Sequence, residues 1–261
     1  MIKIHFLGTC SGTEPMKDAH HCSLLMEIGD AIYWFDAGEG CAHRAYTSGI
    51  DILKTRALFI SHPHLDHTGG LANLLACFRK LNERYKTPLH FDNTLKVFCS
   101  MPKIVEAAKT ICLGPGENLN FTLAQNDISD GILYEDENIC VHALHNAHLR
   151  EDGTNGWHSH SFLIEAEGKR IVFSGDVKSP EELNPFTDKG CDLLIMETGH
   201  HKVTDVCEYA AKQRVGALRF NHHGREILND REACLRLVSG YAKKSGISME
   251  ILSDGWIETM E

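Results

Sequence analysis

Hydrophobic and polar positions alternate along the chain in short runs that predict β-strands. We predict strands at residues 2–7, 23–27, 31–36, 57–60, 95–99, 139–144, 161–165, 169–173, 193–196, 217–220, 249–252 and 256–259. Two-residue turns that predict hairpins separate three pairs of these strands, namely Gly29-Asp30, Glu167-Gly168 and Asp254-Gly255. The pattern therefore predicts sheets that contain antiparallel hairpins.

Helical spacing is clearest at residues 71–85, where apolar side chains recur at positions 71, 74, 75, 78 and 81. We predict further helices just after Gly40 and at residues 102–111, 204–213 and 230–243. Residues 114–137 show the weakest pattern and predict a surface excursion. Because the strands fall into two runs, each followed by helices and with no low-complexity linker, we expect one domain over residues 1–261, with mixed sheets and outer helices.

The composition is that of an ordinary globular protein, with 261 residues, 43% of them hydrophobic and 24% charged. Apolar runs such as residues 192–196 are far shorter than the roughly 20 residues that cross a bilayer. The first residues, MIKIHFLGT, resemble a strand and lack the apolar centre of a signal peptide. We therefore expect a cytoplasmic protein that does not enter a membrane.

The cysteines and the net charge argue against two kinds of function, a thiolate metal site and the binding of a large nucleic acid. None of the 10 cysteines forms a CxxC pair, and several, among them Cys77, Cys99, Cys140 and Cys207, lie in apolar runs. This predicts reduced, buried thiols rather than a thiolate metal site. A formal net charge of −10 without a Lys/Arg cluster argues against a large nucleic acid as partner. A small anionic substrate remains compatible, since bound metal ions dominate the local field of a site.

The 17 histidines are numerous for this length, and the segment SHPHLDH concentrates them directly after the predicted strand 57–60. His62, His64, Asp66 and His67 are ligand-type residues within six positions. His62 and His64 point the same way if the segment is extended, and Pro63 disfavours helix at residue 62. A hydrated, histidine-rich loop is the alternative, but this density favours a metal site. Imidazole and carboxylate ligands suit Zn²⁺, Mn²⁺ or Fe.

More ligands are needed than one loop offers, and they are expected at the ends of later strands. His148, Asp176 and His222 each follow a predicted strand. Each has a competing interpretation: His142 or His145 for the first, a simple turn residue for the second and His223 for the third. The loop-end positions favour His148 and His222, and Asp176 stays open between ligand and turn residue.

SHPHLDH matches the HxHxDH signature of the metallo-β-lactamase fold superfamily, and FLGTCSG and FDAGEG resemble segments of its tRNase Z-like phosphodiesterase branch. The resemblance covers nearly the whole chain and implies a four-layer αββα sandwich with two divalent metal ions. It further implies that His62, His64 and His148 hold one ion, that Asp66, His67 and His222 hold the other, and that Asp176 bridges them. Asp36 would orient ligands, Zn²⁺ is the expected metal, and Mn²⁺ or Fe are alternatives.

The same resemblance implies hydrolysis, with Asp66 taking up a proton from water. Residues 197–201, ETGHH, resemble the region of the branch that supplies a helper histidine. We expect His201 to stabilise the transition state or donate a proton, with His200 as the alternative. Both would otherwise be surface histidines that precede a helix.

The interval between His148 and Asp176 has no room for the tRNA-gripping arm of tRNase Z, since a predicted hairpin takes up most of it. A small phosphodiester, such as a cyclic nucleotide or cyclic phosphate, is therefore the expected substrate. Alternatives are a lactone or thioester hydrolase, a tRNase Z-type ribonuclease, or a non-catalytic metal-binding protein. Trp157, His158 and His160 either line the pocket or are ordinary loop residues. The resemblance is also compatible with a homodimer.

Overall fold

A computed structural model describes residues 1–89, 92–149 and 156–261. The strands are β1 (Ile2–Gly8), β2 (Ser23–Ile28), β3 (Ala31–Phe35), β4 (Thr55–Phe59), β5 (Thr94–Phe98), β6 (Thr122–Asn126), β7 (Gly131–Glu135), β8 (Ile139–His145), β9 (His160–Ala166), β10 (Lys169–Phe173), β11 (Cys191–Glu197), β12 (Val215–Asn221), β13 (Ser248–Ile251) and β14 (Ile257–Met260). The helices are α1 (Cys41–Thr47), α2 (Leu65–Thr68), α3 (Leu71–Tyr85), α4 (Pro102–Cys112), α5 (Asn184–Thr187), α6 (Val203–Lys212), α7 (Arg225–Asn229) and α8 (Arg231–Ser245). Short 3₁₀ turns lie at Ile52–Lys54 and Pro180–Leu183.

The chain divides into two compact units, each built on one seven-stranded sheet. The first unit contains Met1–Gly8, Lys17–Ile128 and Asp254–Glu261, and the second contains Thr9–Met16 and Ser129–Ser253. A single domain over residues 1–261 stays a prediction. Among the described residues, no helix is long and apolar enough to cross a membrane.

The sheet of the first unit has the strand order β14-β1-β2-β3-β4-β5-β6. Its antiparallel part ends at β3, and β3 to β6 run parallel. Helix α3 buries the predicted apolar positions, such as Leu74 and Phe78, in one core with Trp34 and Leu58 of the sheet. The indole nitrogen of Trp34 donates to Thr55 Oγ1 at 2.9 Å, so the one polar atom of this large core side chain is satisfied.

The second unit repeats this plan with the order β13-β12-β11-β10-β9-β8-β7. Strands β10 to β13 run parallel, whereas β7 to β10 are antiparallel. Its core contains Val206 and Ala210 of α6 together with Leu194 and Leu218 of the sheet. In both units, the carboxyl ends of neighbouring parallel strands meet at one edge of the sheet, where ligand sites are usually built.

The structure confirms two of the predicted hairpin turns. Gly29-Asp30 joins β2 to β3, with Ile28 paired to Ala31. Glu167-Gly168 joins β9 to β10, and both turn residues have positive φ, 48° and 76°. This left-handed backbone is what a tight two-residue hairpin turn requires.

Two predictions of local structure are wrong. Residues 114–137 are not merely a surface excursion, because they contain β6 and β7, which lie at the edges of the two sheets. These edge strands are partly exposed, so their apolar residues do not alternate with polar ones in a clear pattern. Residues 249–252 and 256–259 do not form a hairpin, since β13 pairs in parallel with β12 and β14 pairs antiparallel with β1. The turn at Asp254-Gly255 suited a hairpin, but pairing partners depend on the whole sheet.

Candidate metal centre

The histidine-rich segment of the first unit begins where β4 ends and continues into the one-turn helix α2. His62 and His67 are buried, whereas the side chain of His64 is exposed. Nε2 of His62 lies 3.0 Å from Nδ1 of His64, and Nε2 of His67 lies 3.4 Å from Oδ2 of Asp66. The segment thus presents two pairs of ligand atoms, and each pair has a spacing that suits one metal ion. Asp66 and His67 lie in this one-turn helix.

Asp36 supports this segment from the carboxyl end of the adjacent parallel strand, β3. Its carboxylate accepts a hydrogen bond from the backbone N–H of Ser61 at 2.7 Å and lies 2.7 Å from Nδ1 of His67. Ser61 Oγ donates to the same carboxylate at 2.8 Å and lies 3.1 Å from Nδ1 of His62. These bonds place the ring protons on Nδ1, which leaves Nε2 of both histidines as a lone-pair donor for a metal.

In the second unit, three parallel strands bring carboxylates and an imidazole together. Asp176, Glu197 and His222 follow or end β10, β11 and β12, and all three are buried. The ligand atoms of Asp176, Glu197, His200 and His222 lie within 4.8 Å of one another. Because parallel neighbours end at the same edge of a sheet, the topology rather than sequence proximity produces this cluster.

Asp176 directs its two carboxylate oxygens to different histidines. Oδ1 lies 3.4 Å from Nδ1 of His222, and Oδ2 lies 3.7 Å from Nε2 of His148. Both distances are too long for strong hydrogen bonds, but they suit two ligands of one ion, which stand about 3.3–3.6 Å apart when metal–ligand bonds measure about 2.0–2.3 Å. This donor set of imidazoles and a carboxylate fits a divalent transition ion.

The competing histidines have other partners. His145 Nδ1 bonds to Asp130 at 2.6 Å, and His142 Nε2 lies 3.1 Å from Glu165. His223 Nε2 donates to the backbone oxygen of Leu252 at 2.8 Å, and burial lowers the pKa of His223 to about 3. The geometry therefore favours His148 and His222 as ligands over these neighbours.

His222 has an unusual backbone for a histidine, with φ of 49° in the left-handed region. A Cβ added at Gly199 would lie 2.6 Å from Nδ1 of His222, so only glycine leaves room for this ring. The left-handed backbone of His222 and the missing side chain at Gly199 together hold the imidazole beside Asp176.

Glu197 is the residue whose role the sequence did not reveal, although it begins the predicted ETGHH region. Its carboxylate, only 1% exposed, accepts hydrogen bonds from the backbone N–H of His200 at 2.9 Å and of Val177 at 3.2 Å. Burial would raise the pKa of Glu197, but the imidazoles of His200, His201 and His222 hold it well below its usual range. Glu197 is therefore an anion that organises the histidines around it.

The two candidate helper histidines differ in orientation. Nδ1 of His200 lies 3.0 Å from Glu197 and 3.7 Å from Oδ2 of Asp176, and its side chain is 44% exposed. Nε2 of His201 instead donates to the backbone oxygen of Val177 at 3.0 Å, and its side chain is 9% exposed. The hydrogen bond to Glu197 raises the pKa of His200. Burial lowers the pKa of His201, but the interaction with Glu197 outweighs it, so the pKa of His201 is raised as well.

Of the aromatic residues near this region, Trp157 is 39% exposed and stacks on the ring of His145, with centroids 4.3 Å apart. His160 is buried at the start of β9, where it pairs with His145 across the strands. Neither the stack nor the strand pairing assigns these residues a role in substrate binding. Both alternatives, pocket-lining residues and ordinary loop residues, stay open.

The sequence profile described as "Anti-Pycsar protein Apyc1" matches residues 2–215. The chain belongs to the family of the anti-Pycsar protein Apyc1. It is also similar to Ribonuclease Z of Shouchella clausii, with 23% identity over an alignment that covers 85% of this chain and 86% of the relative. The expected enzyme class, a metal-dependent hydrolase of the tRNase Z-like branch, is confirmed by the likeness to this ribonuclease.

Solved structures agree on the fold. The metallo-β-lactamase fold protein YhfI from Bacillus subtilis aligns with a TM-score of 0.75 and 16% identity, and the alignment covers 98% of each chain. Human tRNase Z, short form, aligns with a TM-score of 0.73 and 16% identity over 99% of each chain. The predicted αββα metallo-β-lactamase fold class is confirmed.

Proposed function

We propose that the protein is a binuclear metal-dependent phosphodiesterase that acts on a small phosphodiester, such as a cyclic nucleotide or cyclic phosphate. The observation that carries this proposal is the buried Asp176 carboxylate, which directs separate oxygens toward His222 and His148. A carboxylate in this arrangement is suited to bridging two ions, as the family resemblance implies.

The proposed ligand set follows the family pattern and the pairs seen within each unit. One ion would be held by His62, His64 and His148, the other by Asp66, His67 and His222, with Asp176 shared. In support, the ligand atoms of His62 and His64 lie close together, as do those of Asp66 and His67. Zn²⁺ is the proposed metal, and Mn²⁺ and Fe suit the same donors.

When bound, a pair of divalent ions supplies Lewis acidity that activates water and neutralises phosphoryl oxygens. The residues of this chain would move the protons. Asp66 is proposed to accept the proton of the attacking water. The leaving oxygen needs an acid, and His200, which faces Asp176 and is held by Glu197, is the donor that the geometry favours. The sequence favoured His201, which stays a prediction for paired variants to test.

The preference for a small substrate rests on charge and on the length of one interval. The net charge is −10, and the interval from His148 to Asp176 is largely occupied by β9 and β10 and the turn between them. Residues 150–155 of this interval lie outside the described part of the chain. A cytoplasmic location and a homodimer remain part of the proposal.

A tRNase Z-type ribonuclease is the second candidate, because curated relatives carry the name Ribonuclease Z over most of this chain. A hydrolase of another ester class, such as a lactone or thioester, is the third, because it would use the same ligands.

The deciding experiment is a turnover screen of the purified protein loaded in parallel with Zn²⁺ or Mn²⁺. Substrates are bis(p-nitrophenyl) phosphate, cyclic nucleotides, dinucleotides and cyclic phosphates, beside a precursor tRNA, a lactone and a thioester. We expect turnover of small phosphodiesters, abolished in Asp176→Ala. Cleavage of precursor tRNA with no turnover of small phosphodiesters would establish the ribonuclease instead, and turnover of the lactone or thioester alone would establish the third class.

A further inference from the structure

A second group of metal-type ligands lies on one face of the second sheet. Along β8, Ile139, Val141 and Ala143 are buried, whereas Cys140 and His142 are half-buried. Successive side chains of a strand point to opposite faces, so Cys140 and His142 share one face. Glu165 of β9 pairs directly with Cys140 across the strands and therefore joins them.

The three side chains converge on the ring of His142. Its Nε2 lies 3.4 Å from Sγ of Cys140 and 3.1 Å from Oε2 of Glu165, and all three atoms lie within 4.8 Å of one another. Ligands of a tetrahedral zinc ion, with bonds of about 2.3 Å to sulfur and about 2.0–2.2 Å to nitrogen and oxygen, stand about 3.3–3.6 Å apart. The two distances from Nε2 of His142, 3.4 Å and 3.1 Å, are close to this spacing.

Hydrogen bonds satisfy this arrangement only in part. One ring nitrogen carries at most one proton, yet Nε2 of His142 faces both a thiol and a carboxylate. If Nε2 donates to Glu165, the thiol proton of Cys140 cannot bond to it, and the sulfur receives at most a weak share of the same N–H. If the thiol donates to Nε2, the nitrogen has no proton for the carboxylate. A cation would interact favourably with all three atoms at once.

The carboxylate of Glu165 is also held in place. Its Oε1 bonds to the guanidinium of Arg170, which donates as well to the backbone oxygens of Gly190 at 2.9 Å and Phe186 at 3.2 Å. This leaves Oε2 directed at His142. A cleft of about 500 Å³ opens beside the cluster, and its lining includes Cys140, Glu165, the acidic run 135–137 and the cations Lys169 and Arg170. Supporting bonds of this kind, and a cleft lined by more carboxylates than cations, favour the binding of a cation.

We propose that Cys140, His142 and Glu165 form a separate site for one divalent transition-metal ion of the Zn²⁺ type, with water as the fourth ligand. Binding replaces the thiol proton, which passes to solvent, and forms a metal–sulfur bond without any change of oxidation state. Thiolate and imidazole select borderline-soft ions over Mg²⁺ and Ca²⁺. The sequence favoured an inert, buried thiol for Cys140, but the structure places it beside two other ligands.

Co²⁺ titration of the reduced protein tests this site, because thiolate-to-cobalt charge transfer gives a near-ultraviolet absorption band. The proposed catalytic ligands include no cysteine, and loss of the band in a Cys140 variant assigns it to the new site. We expect the band to saturate at the amplitude of one thiolate-bound Co²⁺ per chain, Cys140→Ser to lose it, and the matched control Cys112→Ser on α4 to keep it. Phosphodiesterase activity of Cys140→Ser should equal that of the parent.

Absence of the band in the parent protein would overturn the proposal, as would its persistence in Cys140→Ser. His142→Ala provides an independent decision. It should keep the thiol but weaken Co²⁺ binding at the band by more than about tenfold. An unchanged affinity in that variant would show that the imidazole is not a ligand and would likewise overturn the site.

Discussion

The histidine segment of the first unit and the Asp176 cluster of the second unit offer the same kinds of ligand but are built differently. The first places its ligands within one continuous stretch, from His62 to His67, that is held by a single carboxylate. The second collects Asp176, Glu197 and His222 from the ends of three parallel strands. A continuous stretch is visible in the sequence, whereas a cluster made by strand order becomes visible only in the fold.

The buried carboxylates of the two groups show the same contrast. Asp36 contacts one proposed ligand, His67, and the serine that precedes the segment, so it fixes which ring nitrogens face a metal. Glu197 instead contacts His200 and lies near Asp176, so it belongs to the cluster that it organises. The supporting carboxylate of the first unit is therefore separate from the proposed ligands, whereas that of the second unit lies among them.

The largest expected effect is loss of metal, and it should differ between the two groups. We expect His64→Ala to lose one metal ion and most activity, because only one pair of ligand atoms in the histidine segment is broken. Asp176→Ala should disturb both ions, because each carboxylate oxygen faces a different histidine. Elemental analysis of the purified variants measures this. Two ions per chain in His64→Ala, or a normal metal content in Asp176→Ala, would contradict the ligand assignment.

The next effect separates the two histidines beside Glu197. We expect His200→Ala to keep both metals and to slow turnover by about 10²–10⁴-fold, the range for a lost general acid. His201→Ala should cost less, because Nε2 of His201 is bound to the oxygen of Val177. Steady-state kinetics with metal analysis on both variants provides the measurement. The reverse order would assign the role to His201, and unchanged turnover in both would assign it to neither.

A comparison of Asp36→Asn with Glu197→Gln tests whether the two supporting carboxylates have different roles. Removing the charge of a residue that orients a ligand typically weakens metal binding by about 10–100-fold. We expect this loss for Asp36→Asn at the ion held by His67. Glu197→Gln should in addition slow turnover at saturating metal, since His200 loses its anionic partner. Competition with a chelator measures affinity; equal kinetics of both variants at saturating metal would refute the distinction.

Much of the fold could be predicted because it depends on local pattern. The spacing of α3 and the turns at Gly29-Asp30 and Glu167-Gly168 are properties of a few neighbouring residues. The edge strands β6 and β7 escaped detection because partly exposed strands at a sheet edge carry no clear hydrophobic alternation. The separate pairing of β13 and β14 is set by their positions in two sheets, which a short turn cannot reveal.

The site divides in the same way. His62 to His67 could be recognised because ligand density within six positions is itself a signal. The importance of Glu197 could not, because a glutamate after an apolar strand is common and its partners, Val177 and His200, are known only once β10 and β11 pair. The glycine at 199 carries a weak signal, since a glycine beside a histidine suggests close approach, but its neighbour His222 lies far away in the sequence.

The smallest effect concerns His223, which follows the proposed ligand His222 in the sequence and donates to the backbone oxygen of Leu252. Burial lowers the pKa of its imidazole from 6.5 to about 3, so the folded state holds the ring neutral. Its contribution to stability is therefore complete above about pH 6.5 and is lost as the pH falls toward 3.

His223→Gln keeps an N–H donor for Leu252 but has no ionisable ring. Between about pH 7 and about pH 4, we expect the metal-free parent to lose about 3 kcal/mol more unfolding free energy than this variant. Urea unfolding across this range provides the measurement. The variant should also bind metal normally, in contrast to His222→Ala, and parallel pH curves for parent and variant would show that His223 titrates alike in the folded and unfolded chains.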